Sequence, residues 1–430
     1  MTRLWFAILA SVVLLGSLSV AQPANNAPAF SLKDGDRVVF YGDSITEQKL
    51  YTSDVEEYIL TRFPQWRVVF VHSGVGADKV SGGWAGPIDL RLERDVIAHQ
   101  PTVVTIMLGM NDGFYRPYDP AIFETYSNGY RHMVDVIQSK LPGARITLLQ
   151  PSPYDDLTRE PRFKGGYNPV LLRYSEFLSQ LNAEKHTAIA DLNTSVVAAL
   201  TKAKAQDEAL STTLILDHIH PGAGVHWLMA EAILKSWGAP SVVTSVTLDA
   251  AKAVATESTN TRVTELRRDN AKNKSYKSMS WLQEDSALPL PLTPSNANMI
   301  MDLAIHSSDL LDALDQENLR VSGLAPGAYR LTIDQKIIGD FSTDQLSSGI
   351  NLAVLDTPML AQARLVALDT EQKNDLDYAR FRLILDPMDS LQQQTADKLV
   401  IAHDRAVEQQ HKDAQPIPHR YTLALIPPKQ

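Results

Sequence analysis

The stretch Val38-Val39-Phe40-Tyr41-Gly42-Asp43-Ser44-Ile45-Thr46-Glu47 decides how this chain is read. An apolar run of strand type, Val38 to Tyr41, breaks at Gly42 into a polar turn, and an amphipathic segment follows. Open α/β sheets bind their ligands at the carboxyl ends of the strands. A serine on the turn after such a strand stands where a nucleophile belongs. Read alone, Ser44 with Glu47 three residues on is equally a helix capping box. The rest of the chain has to decide between the two.

Downstream, short aliphatic or β-branched runs begin near Arg67, Thr102, Arg145 and Thr187, and each is followed by a segment long enough for a helix. The helical segments start near Ser53, Ile88, Ala121, Pro169 and Val225. Alternation of this kind predicts a parallel sheet covered on both faces. With right-handed crossovers it becomes a doubly wound α/β fold, a three-layer sandwich, over residues 34–245. The pattern then changes. The segment from Val246 to Thr256 reads as helical, and Leu288-Pro289-Leu290-Pro291-Leu292-Thr293-Pro294 as an extended linker or edge. Strand signals at 319–321, 329–333 and 421–426, with a polar helical stretch over 359–410 interrupted near Pro387, make 246–430 an appended C-terminal α+β region.

The chain has 430 residues, 44% apolar and 21% charged, which supports a large core. Its net charge of −10 weighs against nucleic acid and anionic membrane surfaces as partners. It has no cysteine, which excludes disulfides, thiol catalysis and a lipidated cysteine. Arg3, the apolar run from Leu4 to Leu15 and the small residues of Ser19-Val20-Ala21 read as a secretory signal peptide over 1–21, cleaved after Ala21. The run is short for a membrane span, and no other stretch is long and apolar enough for one. A flexible leader rich in Pro, Ala and Asn follows over 22–33. The expected location is outside the cytoplasm, in the periplasm or the medium.

Three further constellations carry chemistry. Asp217 and His220 are three residues apart in Leu216-Asp217-His218-Ile219-His220-Pro221, a spacing that lets a carboxylate reach an imidazole in a turn and orient it toward a serine. Asn111, in Leu108-Gly109-Met110-Asn111-Asp112 at the end of the third strand, offers a side-chain amide to a developing oxyanion. The loop His72-Ser73-Gly74-Val75-Gly76-Ala77-Asp78 after the second strand has glycines that allow its N–H groups to point inward. The plainer alternatives are a surface pair for Asp217 and His220, and a simple turn at Asn111-Asp112-Gly113. A metal held by His218, His220 and Asp217 is a weaker reading, because no third histidine stands at a ligand-like spacing.

Taken together and in order, Gly42-Asp43-Ser44, the 72–78 loop, Gly109-Met110-Asn111-Asp112 and Asp217…His220-Pro221 resemble the SGNH hydrolases, the GDSL-type esterases and lipases, over about residues 35–240. The resemblance implies a flavodoxin-like fold, Ser44 as nucleophile, His220 as general base and then acid, and Asp217 as its orienting carboxylate. It implies an oxyanion hole made by the Ser44 N–H, the Asn111 amide and an N–H of the second block. The usual glycine of that block falls on Ala77, so Gly74 and Gly76 are alternative donors; the usual asparagine opening it is His72. The activity implied is a secreted serine esterase acting on small acyl esters, acetyl above all, of a carbohydrate, with no cofactor and no metal. An acyltransferase or lipase with the same triad, and a carbohydrate-binding protein on a degenerate scaffold, are the alternatives. Trp84, Tyr115 and Tyr118, on loops after two of the blocks, are candidates for a substrate wall or for local packing. Residues 152–168 form a long polar loop, a candidate rim or lid.

Overall fold

The computed structural model describes residues 30–269, 277–292, 298–384 and 390–427. The expected signal peptide, residues 22–29 of the leader and the Pro387 break lie outside these residues. The last residues of the leader are packed, not flexible. Phe30 stacks on Phe63 at 5.4 Å, Leu32 is buried, and the Ser31 N–H donates to Trp237 O.

Five parallel strands form the first sheet: β1 (Arg37–Gly42), β2 (Val69–Gly74), β3 (Val103–Met107), β4 (Arg145–Leu149) and β5 (Ala188–Ala190), in the order β2-β1-β3-β4-β5. Residues 38 to 42 of β1 are buried on both faces, which is why the run is continuously apolar. Crossover helices cover the sheet: α1 (Ser44–Glu47), α2 (Leu50–Arg62), α3 (Ile88–Asp95), α4 (Pro120–Lys140), α5 (Asn168–Lys185), α6 (Thr194–Gln206) and α7 (Ala223–Ser236). This is the doubly wound α/β sandwich expected. The register aligns Gly42 with Gly74 on one side and Met107 on the other. The three turns that follow therefore leave the same edge of the sheet, at the switch point where strand order reverses.

The second region is built from two further sheets, of five and four strands, and a helical hairpin. Strand β6 (Val242–Asp249) straddles the boundary expected at 245 and pairs with β7 (Val254–Thr259) as a hairpin. This overturns the helical reading of Val246 to Thr256. The Ala250-Ala251-Lys252-Ala253 stretch is the turn; before it, Thr244 to Asp249 alternates between buried and half-buried positions as a strand does, and after it β7 is an exposed strand rich in Val and Thr. A five-stranded antiparallel sheet contains Trp281 and Tyr421, stacked at 5.1 Å in the second core. The helices α8 (Pro358–Ile384) and α9 (Ser390–Asp413) then return toward the first sheet.

The two cores are interleaved. Leu288 and Leu290 are fully buried, with their N–H groups donating to Thr61 O and to Asp315 Oδ1 at 2.8 and 2.9 Å. Over residues 288–292 the proline-punctuated stretch is thus extended but enclosed, not a surface linker; Thr293 and Pro294 lie outside the described residues. Leu290, Leu303 and Leu310 join the first core, while Leu60 of α2 joins the second.

Helix α8 docks on α2 through a buried charge pair. Lys373 donates to both oxygens of Glu56 at 2.8 and 2.9 Å, and Gln410 donates to the same carboxylate at 3.1 Å. Burial alone would raise the Glu56 carboxyl; the Lys373 charge and the bond from His72 outweigh it and bring it down to about 2. That contribution is present above the ordinary carboxylate range and is lost as pH falls toward 2. Lys373→Ala leaves Glu56 buried and unpaired, and is expected to cost about 3–5 kcal/mol at neutral pH, read as a lower denaturant midpoint. A midpoint equal to that of the wild type would show that the pair does not hold the helix.

Candidate active site

The turn after β1 places Ser44 at the start of α1. The cap of that helix is Asp43, whose Oδ1 accepts the Ile45 N–H at 3.0 Å. This answers the capping-box reading: the Ser44 hydroxyl lies 2.9 Å from His220 Nε2 instead. His220 Nδ1 lies 2.6 Å from Asp217 Oδ2, and Asp217 Oδ1 accepts the N–H groups of Ile219 and His220 at 3.0 and 2.7 Å. Burial opposes ionisation of Asp217, but the bonds from the His220 ring and these two N–H groups outweigh it and hold the carboxyl at about 2. The ionised carboxylate only accepts, so His220 carries its proton on Nδ1 and turns the Nε2 lone pair toward Ser44.

His218 does not join this group. Its Nδ1 lies 2.7 Å from Asp155 O and its ring stacks on Tyr154. His226 is a packing residue, parallel to Tyr51, and accepts the Tyr51 N–H on Nδ1. Burial lowers its imidazole to about 3, so the neutral ring donates through Nε2 to Gln48 Oε1 at 3.1 Å. Among the described residues, no group of three or more His, Asp or Glu is placed to hold a metal ion.

The 74–78 loop packs directly on α1. A Cβ at Gly74 would lie 2.1 Å from Glu47 N, so only glycine permits the approach. The Val75 N–H donates to Gly42 O and the Asp78 N–H to Val75 O. Ala77 has a left-handed φ of 61°, the conformation its glycine-like place in the loop demands. Below it, Arg91 is fully buried and donates to Asp78 Oδ2, to Asp95 and to Ser73 O, with its guanidinium 4.9 Å from the centre of the Tyr41 ring.

Asn111 donates through Nδ2 to Asp78 O at 3.1 Å and makes a long 3.4 Å contact with Asp43 Oδ2. Its Oδ1 accepts the Tyr115 hydroxyl at 2.5 Å, which fixes the orientation of the amide. Phe114 and Tyr115 are both left-handed, with φ of 53° and 54°, a strained turn of the kind found where a side chain must be aimed. Tyr115 is thus a support for Asn111. Tyr118 packs on Phe123, with Arg173 over its ring. Trp84 donates through Nε1 to Gly76 O and stays 58% exposed. The 152–168 loop is held in place by its own bonds, and none of its residues lines the cavity over Ser44. Tyr154 and Tyr167 are buried, and Asp155 and Asp156 each accept two backbone N–H groups within it or at the start of α5.

An open cavity of about 630 Å³ lies over Ser44, Asp217 and His220, lined also by Glu47, Gln48, Thr213, Leu216 and Tyr378. Trp84, Tyr115 and Tyr118 do not line it. Tyr378, from α8, was not legible in the sequence. It lies in an ordinary polar helical stretch, and only tertiary packing brings it to the site.

Residues 40–228 match the model of the GDSL-like lipase/acylhydrolase family. An acetylxylan esterase of Geobacillus stearothermophilus is 26% identical over 228 residues, 47% of this chain and 94% of that one. A gut microbial diltiazem-metabolizing enzyme shares the fold with a TM-score of 0.79 at 24% identity, over 92% of this chain and 98% of the other, so the likeness extends into the second region. Residues 40–228 therefore carry a domain that matches the GDSL-like lipase/acylhydrolase family, the SGNH class. It is a carboxylic ester hydrolase.

Two buried acids behind the site give a pH signature. Burial pushes Asp43 up to about 7, with the Ile45 N–H opposing and Asp112 and Asp78 adding to the rise. Burial likewise pushes Asp112 up to about 7, against the bond from the Val80 N–H. A raised carboxyl keeps a proton that the unfolded chain releases, so stability falls as pH climbs from about 4 to about 7. Asp112→Asn keeps an acceptor for Val80 and removes one titration. It is expected to make the fall shallower by roughly 2–4 kcal/mol, measured as unfolding free energy between pH 4.5 and 8. Superimposable slopes for variant and wild type would contradict this.

Proposed function

We propose that this chain is an exported serine esterase that removes small acyl groups, acetyl above all, from carbohydrate esters. The observation that carries the reading is the continuous line from Ser44 Oγ through both nitrogens of His220 to Asp217, at 2.9 and 2.6 Å. Ser44 Oγ attacks the ester carbonyl as His220 Nε2 takes its proton. The imidazolium is stabilised by Asp217, then gives the proton to the departing alkoxide. Water, deprotonated by His220, attacks the acyl-enzyme, and collapse of the second tetrahedral species returns the proton to Ser44 and releases the acid.

The oxyanion is held by the N–H of Ser44, the Nδ2 of Asn111 and an N–H of the 74–77 loop. Within that loop Val75 already donates to Gly42 O, and a left-handed residue turns neighbouring N–H groups to one side, which favours Ala77 with Gly76 beside it. The long Asn111 contact to Asp43 is the one an oxyanion replaces. The carbohydrate part of the reading is supported by the acetylxylan esterase relative, by the open cavity over Ser44 and by the expected export.

Acetate release from acetylated xylan and hydrolysis of p-nitrophenyl acetate test the reading together. Ser44→Ala is expected to abolish both, Asp217→Asn to lower kcat on the order of 10³–10⁴-fold and Asn111→Ala about 10²–10³-fold. Activity retained by Ser44→Ala would end the mechanism. Export predicts a mature protein that begins at Gln22, found in the periplasm or the medium. N-terminal sequencing that returns Met1 from cytoplasmic material would refute it.

A further inference from the structure

The appended region reaches the mouth of the cavity. Tyr378 of α8 lines it and donates its hydroxyl to Glu47 Oε1 at 3.0 Å, only three residues along α1 from Ser44. One turn on, Arg382 lies 3.4 Å from the same carboxylate oxygen and 4.7 Å from the centre of the exposed Trp84 ring. Trp84 is bonded to Gly76 O, and a Cβ on Gly76 would lie 4.0 Å from Ser44 Cβ. Three segments far apart in sequence thus meet beside Ser44. Phe381, Val75 and Ala85 form a small buried cluster beneath the junction, which fixes α8 at this place.

We propose that Tyr378 and Arg382 of α8, with Glu47 and Trp84, form a ledge that binds the hydroxylated ring bearing the ester, on the alcohol side of the scissile bond. This rests on the carbohydrate reading above. The exposed face of an indole takes the C–H face of a sugar ring. The Glu47 carboxylate and the Arg382 guanidinium present acceptors and donors at ring-hydroxyl spacing, and their charges cancel, which suits a neutral polyol better than an acid or an amine. A leaving group as small as a phenol reaches Ser44 without spanning the ledge. The C-terminal region would then be part of the specificity of the site as well as part of its support.

The test compares an acetylated xylo-oligosaccharide with p-nitrophenyl acetate on the full-length enzyme. Arg382→Ala and Tyr378→Phe are expected to lower kcat/KM for the oligosaccharide about ten-fold more than for the small ester, with most of the difference in KM. Leu365→Ala, on an exposed position of the same helix, is expected to leave the ratio of the two substrates as in the wild type. Thermal midpoints within a few degrees of the wild type establish that the variants are folded. Equal losses on both substrates, or none on either, would overturn the ledge while leaving the carbohydrate reading intact. Wild-type enzyme that cleaves p-nitrophenyl acetate but no acetylated sugar would refute that reading and the ledge with it.

Discussion

Arg91 is the group on which the geometry of the site depends. A guanidinium with no exposure is costly unless all of its donors are used. Here they reach Asp78, Asp95 and Ser73 O, while the flat face lies against Tyr41. Those partners belong to α3, to β2 and the loop after it, and to β1. One buried cation therefore fixes the second loop against the strand that carries the serine. Asp78 passes the constraint on, because its carbonyl accepts the Asn111 amide. The Asn111 side of the site is thus held from within the core, whereas the Asp217–His220 side is held by a local turn at the surface.

The second region is not a passenger. Its helix α8 presses a lysine into the space behind α2 and places a tyrosine on the rim of the cavity. The Glu56 carboxylate also sits 3.4 Å from the His72 ring, so the strand leading into the second loop and the docked helix share one polar network. His72 stands where the family pattern has asparagine. It stacks on Phe40 and contacts Thr52 Oγ1 at 2.7 Å, which supplies a support of a different chemical kind.

Much of this was legible beforehand, for definite reasons. A continuous apolar run before Gly42 is what a strand buried on both faces must be, and a serine after it can only leave at the carboxyl edge. Asp217 and His220 were legible because their contact is local. Val246 to Thr256 misled because the alanines of a tight turn raise helix propensity within a window whose ends are strands. Tyr115 was open to two readings for a different reason: a loop aromatic near a motif is as readily a prop as a platform. Tyr115 became the prop that aims Asn111. Tyr378 lies 331 residues from its partner Glu47, and no pattern of spacing encodes such a meeting.

The enclosed Leu288-Pro289-Leu290 strap bears on how the chain can be divided. It runs between two cores, each of which borrows side chains from the other region's sequence. A cut at the apparent boundary would leave apolar patches bare on both pieces, so neither half is a ready-made module. Grafting this catalytic unit onto another protein, or deleting the C-terminal half to obtain a smaller enzyme, would require a new cover for the face of α7 that residues 299–314 now occupy.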